Sequence, residues 1–161
     1  MRDRIVRTTI AALASLGLAV FTGAPAIAGA QVTRGTLHPF AAALTDPTLS
    51  AYRGLSGHAQ MVRTADGKTL VSVHAAGLLG NVSYPSHVHK AACADGAADG
   101  HYKFDPSGPA DPVNEIWMSF TTGPDGVGHG DAMADRTAGP AAMSVVVHAP
   151  GGAKIGCADL A

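Results

Sequence analysis

The chain has no C-x-x-C pair, no run of basic residues beyond its first ten positions, no apolar stretch of spanning length and no sustained 3.6-residue periodicity. Each absence excludes something. Without a basic stripe there is no electrostatic footprint for nucleic acid. The longest apolar run, Ile10 to Phe21, is roughly a dozen residues against the ~20 that a membrane-spanning helix needs. The missing helical period argues against a bundle and leaves short strands as the elements to look for. Only two cysteines occur, Cys93 and Cys157, and their distance in sequence gives none of the close spacing that a thiolate metal site requires.

What is present at the N-terminus is Arg2, Arg4 and Arg7, then the apolar run, then the small-residue series Ala26-Ile27-Ala28-Gly29-Ala30. This is the layout of a secretory signal peptide, with cleavage expected after Ala28 or Ala30 and no cysteine there to carry a lipid. Residues 1–30 are therefore assigned to export, which leaves about 130 residues, the size of one domain. Removing Arg2, Arg4, Arg7 and Asp3 from 11 basic and 12 acidic residues changes the net charge from −1 to −3. In an oxidising compartment two cysteines read as one disulfide, worth roughly 4 kcal/mol on the chain-entropy model. Two buried free thiols, or two soft metal ligands, are the alternatives.

The mature chain alternates short apolar runs with Gly- and Pro-rich turns. Residues 58–64 and 69–76 flank Ala65-Asp66-Gly67-Lys68, whose Asp-Gly is a hairpin signal. Residues 86–90, 115–122, 128–135, 142–148 and 153–160 read as further strands, separated by Gly-Pro and Pro-Gly breaks. About seven strands in one domain predict an all-β Greek-key sandwich or barrel over 58–161. Residues 31–57 form an N-terminal arm, in which Phe40 to Tyr52 is a short helix interrupted by Pro39 and Pro47 or is irregular. The segment from Lys90 to Asn114, with Gly96, Gly100, Pro106, Gly108, Pro109 and Pro112, is a loop long enough to suggest function.

The candidate chemistry lies in histidine. His87 and His89 in Tyr84-Pro85-Ser86-His87-Val88-His89 sit one residue apart, and on extended backbone both point to one face, so one ion can take both imidazoles. His101 lies in the long loop and His148 ends Met143-Ser144-Val145-Val146-Val147-His148. Three or four imidazoles with no thiolate and no facial carboxylate favour copper among first-row metals. The remaining histidines, His38, His58, His74 and His129, read as ordinary surface or satisfied core residues, and Tyr102, Trp117 and Phe120 as core or rim aromatics.

In order along the chain, His87-Val88-His89, Cys93, Asp99-Gly100-His101-Tyr102, Ser144-Val145-Val146-Val147-His148 and Lys154-Ile155-Gly156-Cys157 resemble the motifs of the copper-zinc superoxide dismutases. The resemblance covers most of residues 58–160. It implies a Greek-key barrel, copper held by His87, His89, His101 and His148, a disulfide from Cys93 to Cys157, and His101 in the place of the imidazole that bridges copper to zinc.

The departures from the family are specific. No histidine occurs between Tyr102 and Phe120, so the expected zinc ligands are missing. Only Ala149, Pro150, Gly151, Gly152 and Ala153 separate His148 from Lys154, so the family's electrostatic loop and its linking aspartate are absent, and Lys154 replaces an arginine. These losses look like the copper-only branch, in which a glutamate holds the imidazole that zinc would hold. Glu115 is the candidate, consistent with carboxylates that orient ligand imidazoles elsewhere.

The resemblance therefore implies an exported copper enzyme without zinc that converts superoxide, a small anion, to dioxygen and hydrogen peroxide. His101 would carry a proton, Glu115 would position it and Lys154 would attract the anion locally, in the manner for which superoxide dismutase is a standard example. No nucleic acid and no membrane span after signal cleavage are expected. A non-enzymatic extracytoplasmic copper-binding module is the alternative. A cupin also carries His-x-His on a strand, but it calls for a glutamate soon afterwards, where this chain has Ala91, Ala92 and Cys93.

Overall fold

Alternation of inward and outward side chains organises the first half of the barrel. The computed structural model describes residues 29–160, so the proposed signal segment lies, but for its last two residues, outside the described part. Strands β1 (Gln31–Pro39), β2 (Ser56–Arg63) and β3 (Thr69–Ala76) are followed by β4 (Ser83–Tyr84), β5 (Ser86–His89), β6 (Phe120–Thr121), β7 (Gly128–Ala134), β8 (Ser144–His148) and β9 (Lys154–Asp159). On β2, Ala59 and Met61 point into the core while His58 and Gln60 point outward. On β3, Val71, Val73 and Ala75 do the same against Leu70, Ser72 and His74. The β2–β3 hairpin closes over residues 64–68. There Gly67 takes a φ of +86°, a conformation that a side chain disfavours, and Thr64 accepts the Lys68 N–H at 2.9 Å.

Seven antiparallel strands form one sheet in the order β5-β8-β9-β1-β2-β3-β7, and β4 pairs with β6 as a small ribbon. The all-β expectation is met. Strand β1 is central to this order: residues 31–37 pair with β2, and His38 and Pro39 pair with Cys157 and Gly156 on β9. Two residues before β1 changes partners, a Cβ on Gly35 would sit 1.8 Å from the Asp159 carbonyl oxygen, so only glycine lets the two backbones approach there. After β1 comes helix α1 (Ala41–Thr45), then a 3₁₀ turn over Pro47–Tyr52 whose first turn Asp46 caps by accepting the Thr48 N–H at 2.8 Å.

The expected strand at 115–122 shrinks to Phe120–Thr121. Its first half serves the outer edge of β5 instead: Val88 donates to the Ile116 carbonyl at 3.1 Å and Met118 donates to the Ser86 carbonyl at 2.7 Å. Beyond that point the same edge pairs with the long loop, where Tyr102 donates to the Val88 carbonyl and Lys90 to that of Gly100. The edge strand is thereby covered and its peptide groups are satisfied. Phe120 packs between the ribbon and β7, where Gly128 and Gly130 leave room for its ring, so the barrel nearly closes.

Strand β8 is buried along its whole length. Val145 and Val147 belong to the main core, whereas Val146 packs on the other side with Phe40, Ala98 and Cys157. A strand covered on both faces has the continuous apolar run seen here. The outer cover is the segment after β5, held down by a disulfide between Cys93 and Cys157 with a Cα–Cα distance of 5.8 Å.

Candidate metal centre

Side-chain parity places three of the four candidate ligands on the outer side of the barrel wall. Val88, Val145 and Val147 face the core, so His87, His89 and His148 face the opposite way, beneath the loop that follows β5. His101 enters from that loop as the bridge partner of His89. One nitrogen from each of His87, His89, His101 and His148 lies within 4.8 Å of every other. His89 and His148 bring their Nε2 atoms to 3.4 Å. Metal–nitrogen bonds of about 2.0–2.1 Å put opposite ligands ~4 Å apart, so side-chain adjustments of under an ångström would close the cluster on an ion.

Three of the four rings are held from behind. His89 Nδ1 lies 3.1 Å from the Asp99 carbonyl and 3.3 Å from that of Ala98, and His148 Nδ1 lies 2.9 Å from the Gly152 carbonyl. His101 Nδ1 lies 2.6 Å from Glu115 Oε2. In these three rings the proton belongs on Nδ1, donated to oxygen, which leaves the Nε2 lone pair for an ion. His87 differs: its Nδ1 is buried without any hydrogen-bond partner in the protein. A buried nitrogen left without a partner is costly, and a metal bond would satisfy it. That orphaned atom, together with an all-imidazole donor set, fits a copper ion.

The electrostatics agree. Burial, followed by the charges of His101, His148 and His89, pushes His87 down to about 3. Burial, then His101 and the Lys154 ammonium, pushes His89 down to about 3 as well. His148 is lowered chiefly by burial, against the opposing effect of its bond to Gly152. These rings are therefore neutral near pH 7, the form that binds metal.

Glu115 is almost fully buried, at 2% exposure. Its Oε2 accepts both from His101 and from the Trp117 indole N–H at 2.6 Å, while Oε1 has no protein partner. A cleft of about 470 Å³ runs beside it, lined by Lys90, Lys103 and Tyr102 among others. Trp117 is thus a polar anchor for the carboxylate, a role beyond the rim aromatic that the sequence suggests. The available signal was the Glu115-Ile116-Trp117 spacing, which on extended backbone puts the two side chains on one side.

Lys154 lies close enough to influence His89 and His148, but its ammonium is engaged. It donates to the Ala97 and Asp99 carbonyls at 2.6 Å each. Those carbonyls converge because Ala97, Ala98 and Asp99 all have positive φ, of 55°, 63° and 49°. Left-handed backbone costs roughly 1–2 kcal/mol per non-glycine residue. The two charge-assisted bonds to Lys154 and the burial of Ala98 offset that cost, and the same turn supplies the acceptors for His89.

His38, His58, His74 and His129 lie outside this cluster.

No protein-family model matches the chain, and no curated protein matches it. Solved structures do. A double mutant of a SOD-like protein from Bacillus subtilis is 18% identical, with a TM-score of 0.50, covering 79% of this chain and 95% of that one. A single-residue variant of superoxide dismutase 5 from Candida albicans is 18% identical, with a TM-score of 0.46, covering 80% of this chain and 88% of that one. At this identity the likeness to the Bacillus protein defines the fold class, a superoxide-dismutase-like barrel, here with a four-histidine site able to hold a metal.

Proposed function

We propose that the chain is an exported copper-dependent superoxide dismutase of the copper-only kind, with one copper per chain and no tightly bound zinc. The observation that carries this reading is the cluster of four imidazoles, three fixed from behind by protein oxygens and the fourth, His87, presenting a buried nitrogen with no other partner. Copper bound there supplies one-electron exchange, so that two superoxide ions and two protons become one dioxygen and one hydrogen peroxide.

The chain's own groups supply ligands, orientation and protons. His87, His89, His101 and His148 would hold the ion. His101 takes up and releases a proton at Nε2, while Glu115 Oε2 keeps its Nδ1–H in place and so fixes ring and tautomer. Glu115 acts as a positioning residue, itself steadied by Trp117. Lys154 places one fixed positive charge next to His89 and His148, which draws a small anion locally despite the net negative charge of the mature chain. The disulfide suits an oxidising compartment, in line with export.

A second reading, a copper-binding module without turnover, is favoured by one observation: the Lys154 ammonium is already bonded to two carbonyls, and only five residues separate it from His148. Metal content and superoxide consumption measured on one purified sample decide between the two. Copper at one equivalent, with disproportionation that chelation abolishes, supports the enzyme. Tight copper without turnover selects the module, and absence of copper binding removes both.

A further inference from the structure

Seven of the eight histidines fall into two groups, and only His38 stands apart, so the second group calls for its own account. Strand register puts His58 on β2 opposite His74 on β3, and His74 opposite His129 on β7. The alternation that sends Ala59, Val73 and Gly130 inward sends these three outward, side by side on neighbouring strands. The His58 and His74 rings lie 5.4 Å apart, centre to centre, with planes 14° from parallel. His129 Nε2 is 3.8 Å from Asp131 Oδ1, with both side chains well exposed. None of these strands carries a residue of the buried four-histidine centre.

We propose that His58, His74 and His129 form a second metal site, which takes one divalent ion of the zinc–copper class on the outer face of the sheet, with the Asp131 carboxylate as an adjoining oxygen donor. Directly opposed residues on antiparallel strands hold their Cβ atoms about 4.5–5.5 Å apart, a span that two imidazoles bridge through one ion with bonds of about 2 Å. His74, in the middle, is the shared ligand, since it neighbours both of the others. The donor atoms of the three residues do not converge as the rings stand, so loading requires the outward-facing side chains to rotate toward one another, a motion of picoseconds to nanoseconds for exposed side chains. Imidazole donors with one carboxylate at hand suit zinc, copper and nickel and disfavour calcium or magnesium.

The inference is independent of the proposed dismutase activity, and zinc titration tests it. Wild-type protein and His74→Asn are titrated with zinc alone against a chromophoric competitor, while the imidazole proton resonances are followed. Wild type is expected to take up one more equivalent than His74→Asn, with the His58, His74 and His129 resonances moving together as it fills. His129→Asn should weaken that equivalent by at least the roughly 10- to 100-fold that follows loss of even an indirect partner of a metal ligand. Should the buried centre bind no zinc, the total falls by one in wild type and variant alike and the difference stands. Equal stoichiometry in wild type and His74→Asn, or three resonances unmoved by zinc, would overturn the site. If His74→Asn loses its fold, as read by circular dichroism, the more exposed His129→Asn carries the same comparison.

Discussion

Strands β2 and β3 pair residue for residue over eight positions and keep one dry face and one wet face, whereas β5 and β8, only four and five residues long, are covered on both sides. The first region is held by its own ladder and by alternation. The second depends on pieces remote in sequence: segment 116–118 and the loop at 100–102 on the β5 edge, the left-handed turn at 97–99, and a disulfide. The contrast shows where a metal centre can be built. A regular ladder satisfies its backbone internally, while short covered strands leave carbonyls and loops free to orient imidazoles from behind.

The largest test of this contrast is the cross-link. Removing a disulfide that spans 64 residues, as in Cys93→Ser with Cys157→Ser, is expected to lower stability by about 4 kcal/mol. The loop carrying His101 should loosen first. Hydrogen exchange should therefore rise across residues 90–101 well before it rises in β2 and β3, and uniform exchange would break the distinction between the regions.

Truncation in the regular half gives the complementary result. Met61 is fully buried between β1 and β3, and Met61→Ala should cost about 2–5 kcal/mol in a urea titration. Copper affinity of the folded fraction should be unchanged. A copper site weakened in step with stability would show that the two regions are not independent.

Glu115→Gln probes the covered region without removing a ligand. Copper content should stay near normal, and dismutation should fall by something like 10- to 100-fold, the range for carboxylates behind metal-bound imidazoles. Because Trp117 shares Glu115 Oε2, Trp117→Phe should move activity in the same direction by less.

Acid sharpens the comparison with the smallest perturbation. His87 and His89 have folded-state values pushed down to about 3, below the ordinary histidine value of about 6.5, so the unfolded chain binds more protons between those limits. Their contribution to metal-free stability is complete above about pH 6.5 and is lost as pH falls toward 3. The measurement is the urea midpoint of the metal-free protein across that range, with the decline abolished in a His87→Gln, His89→Gln variant if that variant folds. A flat midpoint in the native chain would contradict the buried neutral state of these rings.

Local sequence determined a good deal. The Asp66-Gly67 turn with its flanking strands, the continuous apolar run of β8, the His87–His89 spacing and the pairing of the only two cysteines are all statements about residues that lie close together or occur nowhere else. Three features needed the tertiary structure. Strand β1 shows little hydrophobic alternation, because it changes partners between Leu37 and His38 and so has no single face to advertise. The residues at 115–118 read as one strand with 120–121, but they serve another edge, since pairing with β5 and pairing with β4 are decided by closure of the barrel. The acceptors behind His89 and His148, the Trp117–Glu115–His101 chain and the row His58–His74–His129 join residues 2 to 71 positions apart. Such contacts depend on strand order and register, and no local period in the sequence encodes either.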